Sequence, residues 1–341
     1  MPTYATPLPK RPWVRGDVPM AWREDTTLQV GDGPRTAVVQ HADRALVAWL
    51  LTLQGERTLE EALVDAERSG LHRGRALSLL RQVVPTGMVD DSDEIPARLR
   101  GATPDLRARL AGGLAAARLA RGTAQAARQA MDRRLECVVA VHGDGPLAEA
   151  VAAALMASGV VSIARESRPS SSVRRARRRG ARRSCHVLCD IAHPDASDAP
   201  DAMALDVPHL PVATLGARAV VGPFVLPGLT GCLRCLDLHR ADRDPAWPRI
   251  AVQLQHQRIQ TPPVDTALAM GAAAWATLQV LAWVEAEEPA VGSLGWPNGW
   301  PATAPPAVGG RLTITAPGGA IDRAECPPHP LCGCRWPNTG R

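Results

Sequence analysis

The spacing of apolar positions changes twice in the first hundred residues. Leu28 to Val30 and Ala37 to Gln40 are short apolar runs on either side of Gly31-Asp32-Gly33-Pro34, the pattern of a β-hairpin. From Ala42 to Leu53 the spacing becomes helical, with Leu46, Trp49, Leu50 and Leu53 on one face. Thr58 followed by Glu61 is a capping-box signature for a second helix over Leu59 to Ser69, and Arg73 to Val84 repeats the helical pattern before Gly87-Met88-Val89 leads out. A hairpin with three short helices predicts a winged-helix-like α+β module over residues 1–97.

Residues 98–134 are rich in Ala and Arg, helical in period and interrupted by Gly112-Gly113 and Gly122, which reads as a basic helical linker. The pattern then turns to α/β. Cys137 to Val141 predicts a strand, His142-Gly143-Asp144-Gly145-Pro146 a glycine turn, and the residues through Ala157 a helix, the opening of a Rossmann-like unit. Val160 to Ile163, His186 to Cys189, Val207 to Leu215 and Ala219 to Leu226 predict further strands of an α/β domain over residues 135–341. Ala267 to Ala286 is apolar enough to raise a membrane question. Thr277 and Gln279 within it, the acidic residues Glu285, Glu287 and Glu288 at its end, and the lack of flanking basic anchors favour a buried packing helix.

With 341 residues, 45% of them hydrophobic, the chain can fill two or three cores. One Tyr, one Phe and nine Trp leave those cores to Ala, Val and Leu. The net charge of +5 is uneven, because residues 98–183 hold 18 basic and 6 acidic groups while both flanks are net acidic. Lys10 is the sole lysine among the 39 basic residues. Nine arginines fall between Arg165 and Arg183 around Ser170-Ser171-Ser172. Such a run reads as a solvated loop, with anion or nucleic-acid contact as the alternative, and no aromatic residue interleaves it to stack on bases. Eight cysteines without an apolar leader at Met1 to Lys10 point to a reducing cytoplasm rather than a disulfide framework.

The strongest chemical signal is Cys232-Leu233-Arg234-Cys235 together with Cys332-Gly333-Cys334. Two knuckles of two thiolates supply the tetrahedral shell of zinc and leave no open position, so the expected role is structural. Cys326 or His329 could replace one ligand. Gly143-x-Gly145-x-x-Ala148 fits a phosphate-cradling loop for ATP, although Ala stands for the third glycine and Asp144 places a carboxylate where phosphates would lie. Glu166, 21 residues after Gly145, is then the candidate for a ribose hydroxyl. Cys137 and Cys189 read as core residues, while Cys185, two positions after Arg183, has the most cationic sequence neighbourhood. No Ser, His and Asp set has a nucleophile context, and no residue is assigned a catalytic role. His239 and Asp237 read as braces of the zinc loop or a dimer contact.

Val221-Gly222-Pro223-Phe224-Val225-Leu226-Pro227-Gly228, the segment Cys232 to Arg240 and the closing Cys332-Gly333-Cys334 resemble the ThiF-like proteins of ribosomal-peptide maturation. These are the cyclodehydratase partners or leader-peptide-binding proteins of azoline-forming (TOMM) systems. The resemblance covers residues 135–336, with 221–247 as its specific part. It implies that residues 20–95 bind a precursor's leader peptide as an added strand, and that a separate YcaO-type enzyme uses ATP to close the rings. It also implies a homodimer by analogy. Adenylating relatives place a lysine and an arginine on the ATP phosphates and an aspartate near the magnesium, and the resemblance implies Asp190, at a strand end, for that aspartate. That lysine is missing, since Lys10 lies outside the α/β domain. Two other readings stay open: an ATP-dependent adenylyltransferase acting on a carrier-protein C-terminus, and a zinc-containing nucleic-acid-binding protein.

Overall fold

A computed structural model describes residues 7–15, 18–31, 36–92, 103–121, 124–166, 184–189, 202–204, 206–256, 265–286 and 305–334. The chain divides into two compact units, Met1–Met131 and Asp132–Arg341.

In the first unit, β2 (Met20–Glu24), β3 (Thr27–Val30) and β4 (Ala37–Gln40) form an antiparallel sheet in that order. The predicted hairpin is β3–β4, and residues 32–34 of its turn lie outside the described residues. β1 (Pro12–Val14) pairs with β5 (Val89–Asp91), closing the two ends of the module. Helices α1 (Arg44–Leu51), α2 (Leu59–Arg68) and α3 (Arg73–Val83) follow the predicted order. The Thr58 side chain accepts from Glu61 N–H while Glu61 accepts from Thr58 N–H, so the capping box is complete. Leu28, Leu50, Leu63, Leu79, Leu80 and Met88 are fully buried, and the Trp49 indole donates to Ala62 O at 3.0 Å inside that core.

Helix α4 (Pro104–Arg121) runs through Gly112-Gly113, where a break was expected. No heavy atom lies within 4 Å of a Cβ placed on Gly112, so the pair costs the helix only its propensity, about 1 kcal/mol per glycine. The boundary between the units falls within α5 (Ala124–Glu136).

The second unit is built on a seven-stranded sheet. Its parallel half comprises β6 (Val138–His142), β7 (Ser162–Glu166), β8 (Cys185–Cys189) and β9 (His209–Leu215), with β6 between β7 and β8 and with β9 beside β8. The antiparallel half continues from β9 through β10 (Arg218–Val221), β11 (Gly310–Thr315) and β12 (Ala320–Glu325). The strand predicted over 207–215 starts two residues later and ends where expected, and the one predicted over 219–226 starts one residue earlier and ends at Val221. Helix α6 (Pro146–Ala157) follows the glycine turn, with Pro146 at its first position.

One face of this sheet carries the core. Val139, Val141, Leu210, Val212, Ala219 and Val221 alternate inward against α6 and α9 (Thr266–Glu285). Helix α9 is long and apolar enough to cross a membrane by length and composition alone. Its small side chains at Ala269, Ala272, Ala273 and Ala276 are buried in the sheet core, as expected of a packing helix. Gln279 completes that burial by accepting from Ala307 N–H at 2.9 Å.

The end of α9 is fixed by a buried charge. Glu285 is 8% exposed and pairs with Arg134, itself 6% exposed, while Arg134 also donates to Ser158 O at 2.9 Å and Arg133 to Glu285 O at 2.8 Å. Removing one partner leaves a buried charge without its counterion, which typically costs about 3–5 kcal/mol. Arg134→Ala should lower the chemical-denaturation stability of the full chain by about that amount, and the apolar double variant Arg134→Met with Glu285→Leu by clearly less. Equal losses in the two variants would mean that the ion pair is not what holds this helix end.

Candidate metal centre

Helix α7 (Leu233–Arg243), which α8 (Trp247–His256) follows, begins at Cys232, its N-cap in an extended conformation, so that Cys235 sits in the first turn one helical step away. That spacing places two sulfurs on one side of the helix start. The second pair arrives from the C-terminal segment. Cys232 Sγ lies 3.8 Å from Cys235 Sγ and 3.5 Å from Cys332 Sγ, and Cys235 Sγ lies 3.4 Å from Cys334 Sγ. All four sulfurs are within 4.8 Å of one another. A tetrahedral zinc with bonds of about 2.3 Å requires sulfur separations of about 3.8 Å, whereas a disulfide requires about 2.05 Å. The four thiols are free, and their arrangement is consistent with a zinc site.

Backbone geometry explains how the pairs meet. A Cβ on Gly231 would lie 2.4 Å from Cys326 O and 2.8 Å from Pro327 O, so only glycine lets the strand leaving β12 pass this close to the start of α7. Gly333 adopts φ 72°, the left-handed turn that aims Cys332 and Cys334 the same way. The N-terminal dipole of α7 adds a partial positive charge on the side where thiolates gather.

Electrostatics point in the same direction. The hydrogen bond from Cys232 pushes the Cys235 thiol down to about 4, while burial and the neighbouring Cys235 push Cys334 up to about 12. Cys232 is raised as well, chiefly because it donates to Cys235. Of these three thiols, the protein groups alone favour the thiolate only at Cys235. A divalent cation is what would allow the others to ionise.

Of the two expected braces, His239 reaches the C-terminal segment and Asp237 does not. His239 Nε2 donates to Pro327 O at 3.1 Å, and His329 bonds Asp242 Oδ2 at 2.9 Å. His329 is thus outside the four-sulfur group, and it forms a second cluster with His239 and Asp242. That cluster is poorly suited to a metal. His329 Nδ1 accepts from Leu331 N–H at 3.1 Å, which leaves the ring proton on Nε2, pointing at Asp242. Asp237 serves differently, accepting from Arg240 and from the Trp247 indole, each at 3.2 Å. Cys326 is buried, with burial pushing its thiol up to about 11.

The other site residues are spread around β6. Gly143 and Gly145 both have positive φ, 106° and 122°. Arg165 donates to Ala148 O at 2.7 Å and to Gly143 O at 3.2 Å, tying the turn to the start of α6. Glu166 ends β7 in register with His142, and its side chain lies outside the described residues, as do Asp190 and the arginine run 167–183. Cys185, whose arginine neighbours in sequence suggested reactivity, is fully buried, and burial raises its thiol. Cys137 is raised to about 12 for the same reason.

Three histidines went unremarked in the sequence because each sits alone in an apolar run. His142, His186 and His209 lie on the sheet face opposite α6 and α9, all at most 2% exposed. His142 Nε2 is 2.6 Å from His186 Nδ1, and the rings are 4.7 Å apart. His209 donates from Nδ1 to Val207 O at 3.0 Å. Burial, then repulsion from His142 and His209, lowers His186 to about 3, and burial lowers His209 to about 4.

No protein-family model matches the chain, and no curated protein matches it by sequence. By fold it is similar to several solved structures. The heterocyclase TruD aligns with a TM-score of 0.60 at 14% identity, over 96% of this chain and 43% of that one. A heterocyclase in complex with substrate and cofactor aligns at 0.58 and 16%, over 94% and 38%. MccB of E. coli, with AMPCPP and MccA, aligns at 0.54 and 14%, over 95% and 99%. The chain thus spans less than half of each heterocyclase and nearly all of MccB. At these identities the likeness establishes a heterocyclase-related fold.

The buried histidines carry a pH signature. Unfolded, His186 and His209 take up protons near pH 6.5, but folded they do so only near 3 and 4. The unfolded chain binds more protons between those limits, so the stability they contribute is complete above about pH 6.5 and is lost as pH falls toward 4. The slope is about 1.4 kcal/mol per pH unit for each histidine. Acid also protonates the thiolates, so the test is the difference between the wild-type chain and His209→Leu. The variant's denaturation midpoint should depend less on pH between 7.5 and 5 by about one proton; parallel curves would show that His209 is not held neutral.

Proposed function

We propose that this chain is a cytoplasmic, peptide-presenting partner of a YcaO-type cyclodehydratase in azoline-forming peptide maturation. The first unit, a winged-helix-like module, captures the leader of a precursor peptide. The second, a Rossmann-like ThiF-type domain, is a scaffold whose end is held by zinc on Cys232, Cys235, Cys332 and Cys334. The observation that carries this reading is the fold shared with heterocyclases over 94–96% of the chain, in a sequence whose sole lysine, Lys10, lies in the first unit. Arg replaces a phosphate-binding lysine poorly where a compact point charge is needed.

The sheet of the first unit supports strand addition on one side in particular. β2 carries a register shift between Trp22 and Glu24, and the intervening Arg23 adds charge, both of which guard an edge. β4 is regular, has no strand on its outer side among the described residues, and exposes Val38 at 40%. Arg75 of α3 reaches His41 O at 2.9 Å and Asp43 at 2.8 Å, which holds α3 beside the end of β4. An edge flanked by a helix is a groove in which a peptide gains main-chain hydrogen bonds and side-chain pockets together.

A homodimer fits the second unit, where Met270 and Leu278 of α9 are 63% and 55% exposed, one helical face apart from the buried alanines. An adenylating role is favoured only by the glycine turn at the start of α6 and by the likeness to MccB.

Two measurements bear on this reading. The purified chain should hold about one zinc, lost together with a large drop in melting temperature when Cys232 and Cys235 are both changed to Ser; a full-stability double variant without metal would remove zinc from the scheme. Val38→Lys, at an exposed position, should leave the melting temperature nearly unchanged while weakening the binding of a leader peptide by about tenfold or more, read by fluorescence anisotropy. Equal affinity in this variant would exclude β4 as the capture edge.

A further inference from the structure

The antiparallel half of the sheet in the second unit has a face that α6 and α9 do not cover. Three cross-strand rows build it. Leu215, Arg218 and Thr315 align in the first, and Ala213, Val220 and Thr313 in the second. In the third, Gly222 donates to Pro211 O at 2.8 Å and passes close to Arg311. Helix α7 forms a wall over this face through Leu233, Leu236 and Arg240, and the two enclose a groove of about 270 Å³. The floor is shallow in side chains at its centre, where Ala213 and Gly222 stand, and neither Val220 nor Thr313 is fully buried.

The groove's arginines differ in their state. Arg240 is engaged, with Asp237 Oδ1 at 3.2 Å and the Trp247 ring 4.7 Å from its guanidinium carbon. Arg218 and Arg311 form no ion pair or hydrogen bond through their side chains among the described residues. Asp322 lies on the same face, opposite Thr313 on the edge strand, and does not pair with either. Two free guanidinium groups at opposite corners of an apolar floor call for two anionic groups. They lie on adjacent strands, four residues apart along the strand and one interstrand spacing across it, which puts their Cα atoms about 14 Å apart.

An extended peptide matches this span. Carboxylates four residues apart point to the same face of a strand and are separated by about 13 Å. We propose that the groove binds an extended peptide segment bearing two carboxylates four residues apart, with small apolar residues between them. Arg218 and Arg311 each hold one carboxylate, and the floor of Ala213, Val220 and Gly222 takes the apolar residues. This site stands on the second unit alone and does not depend on strand capture at β4.

The probe is a fluorescein-labelled peptide, Gly-Glu-Ala-Val-Ala-Glu-Gly, with blocked ends, titrated with the full chain at low salt and read by anisotropy. Saturable binding is expected, weakened by about tenfold or more by Arg218→Gln, by Arg311→Gln, or by replacing both probe glutamates with glutamine. Arg218 is exposed and Arg311 half-buried, and an unchanged melting temperature confirms that each variant is folded. No saturable binding to the wild-type chain, or affinities indifferent to the arginines or to the probe's charge, would overturn the proposal. Val38→Lys should leave probe binding unchanged; a loss there would place the acidic probe on the first unit and overturn the assignment, while leader binding that fails with probe binding intact would count against strand capture alone.

Discussion

Four sulfurs within 4.8 Å of one another are the constraint on which the second unit's C-terminal end depends. They cannot all be thiolates without a cation, and as neutral thiols they offer little mutual attraction. The apolar cluster around them is small: among the described residues its buried members are Val225, Cys232 and Cys235. Yet the two pairs are about a hundred residues apart in sequence, so closing the loop between them carries an entropy cost of several kcal/mol. A bound divalent metal is a physical source of free energy large enough to offset it, on the order of 10 kcal/mol for a four-ligand site. The hydrogen bonds of His239 to Pro327 O and of His329 to Asp242 tie the same segment to α7.

That closure shapes more than the chain end. Cys232 is the N-cap of α7, so the cysteine cluster bears on where α7 starts and how it lies over β9, β10 and β11. The wall of the peptide groove is therefore a consequence of the cysteine cluster, even though no cysteine lines it. The sheet consequently does three separate jobs. Its one face carries the apolar core with α6 and α9, the parallel half of the other face buries three neutral histidines, and the antiparallel half of that face is open to solvent beside α7.

Much of this was legible in the sequence where local and tertiary signals agree. The capping box at Thr58 and Glu61, the β3–β4 hairpin, the glycine turn before α6 and the two cysteine pairs all combine a local rule with the final environment. The β11–β12 hairpin was missed for a physical reason. β12 is exposed at every position, and β11 alternates with Gly310, Thr313 and Thr315 among its residues, so neither presents a continuous apolar run. Helix α7 was hidden by its polar composition, because it is held by the cysteines and not by an apolar stripe. Glu285 and the histidines show the converse limit. A single polar residue in an apolar segment becomes a buried pair only through a partner far along the chain, as Arg134 and His186 do.

The glycine turn shows why a retained scaffold motif need not carry the chemistry that usually accompanies it. A Cβ on Gly143 would lie 2.7 Å from Cys189 O, a backbone atom of the neighbouring strand that cannot move without disturbing the sheet. The turn also runs at φ 106°, a conformation side chains rarely adopt. Packing alone therefore requires glycine at this position, whether or not a phosphate ever approaches the start of α6. Gly145 caps α6 with no side-chain hydrogen bond, which leaves the helix's first N–H groups available to an anion. Such groups bind phosphate weakly unless a fixed cation neutralises the charge that accumulates there. Arg165, the described arginine nearest the turn, spends its guanidinium on Gly143 O and Ala148 O, so it stabilises the loop's own carbonyls instead of facing a ligand. The residues that keep this turn in shape are thus accounted for by the fold, and the cation that ATP chemistry needs is the feature a lysine in this unit would have supplied.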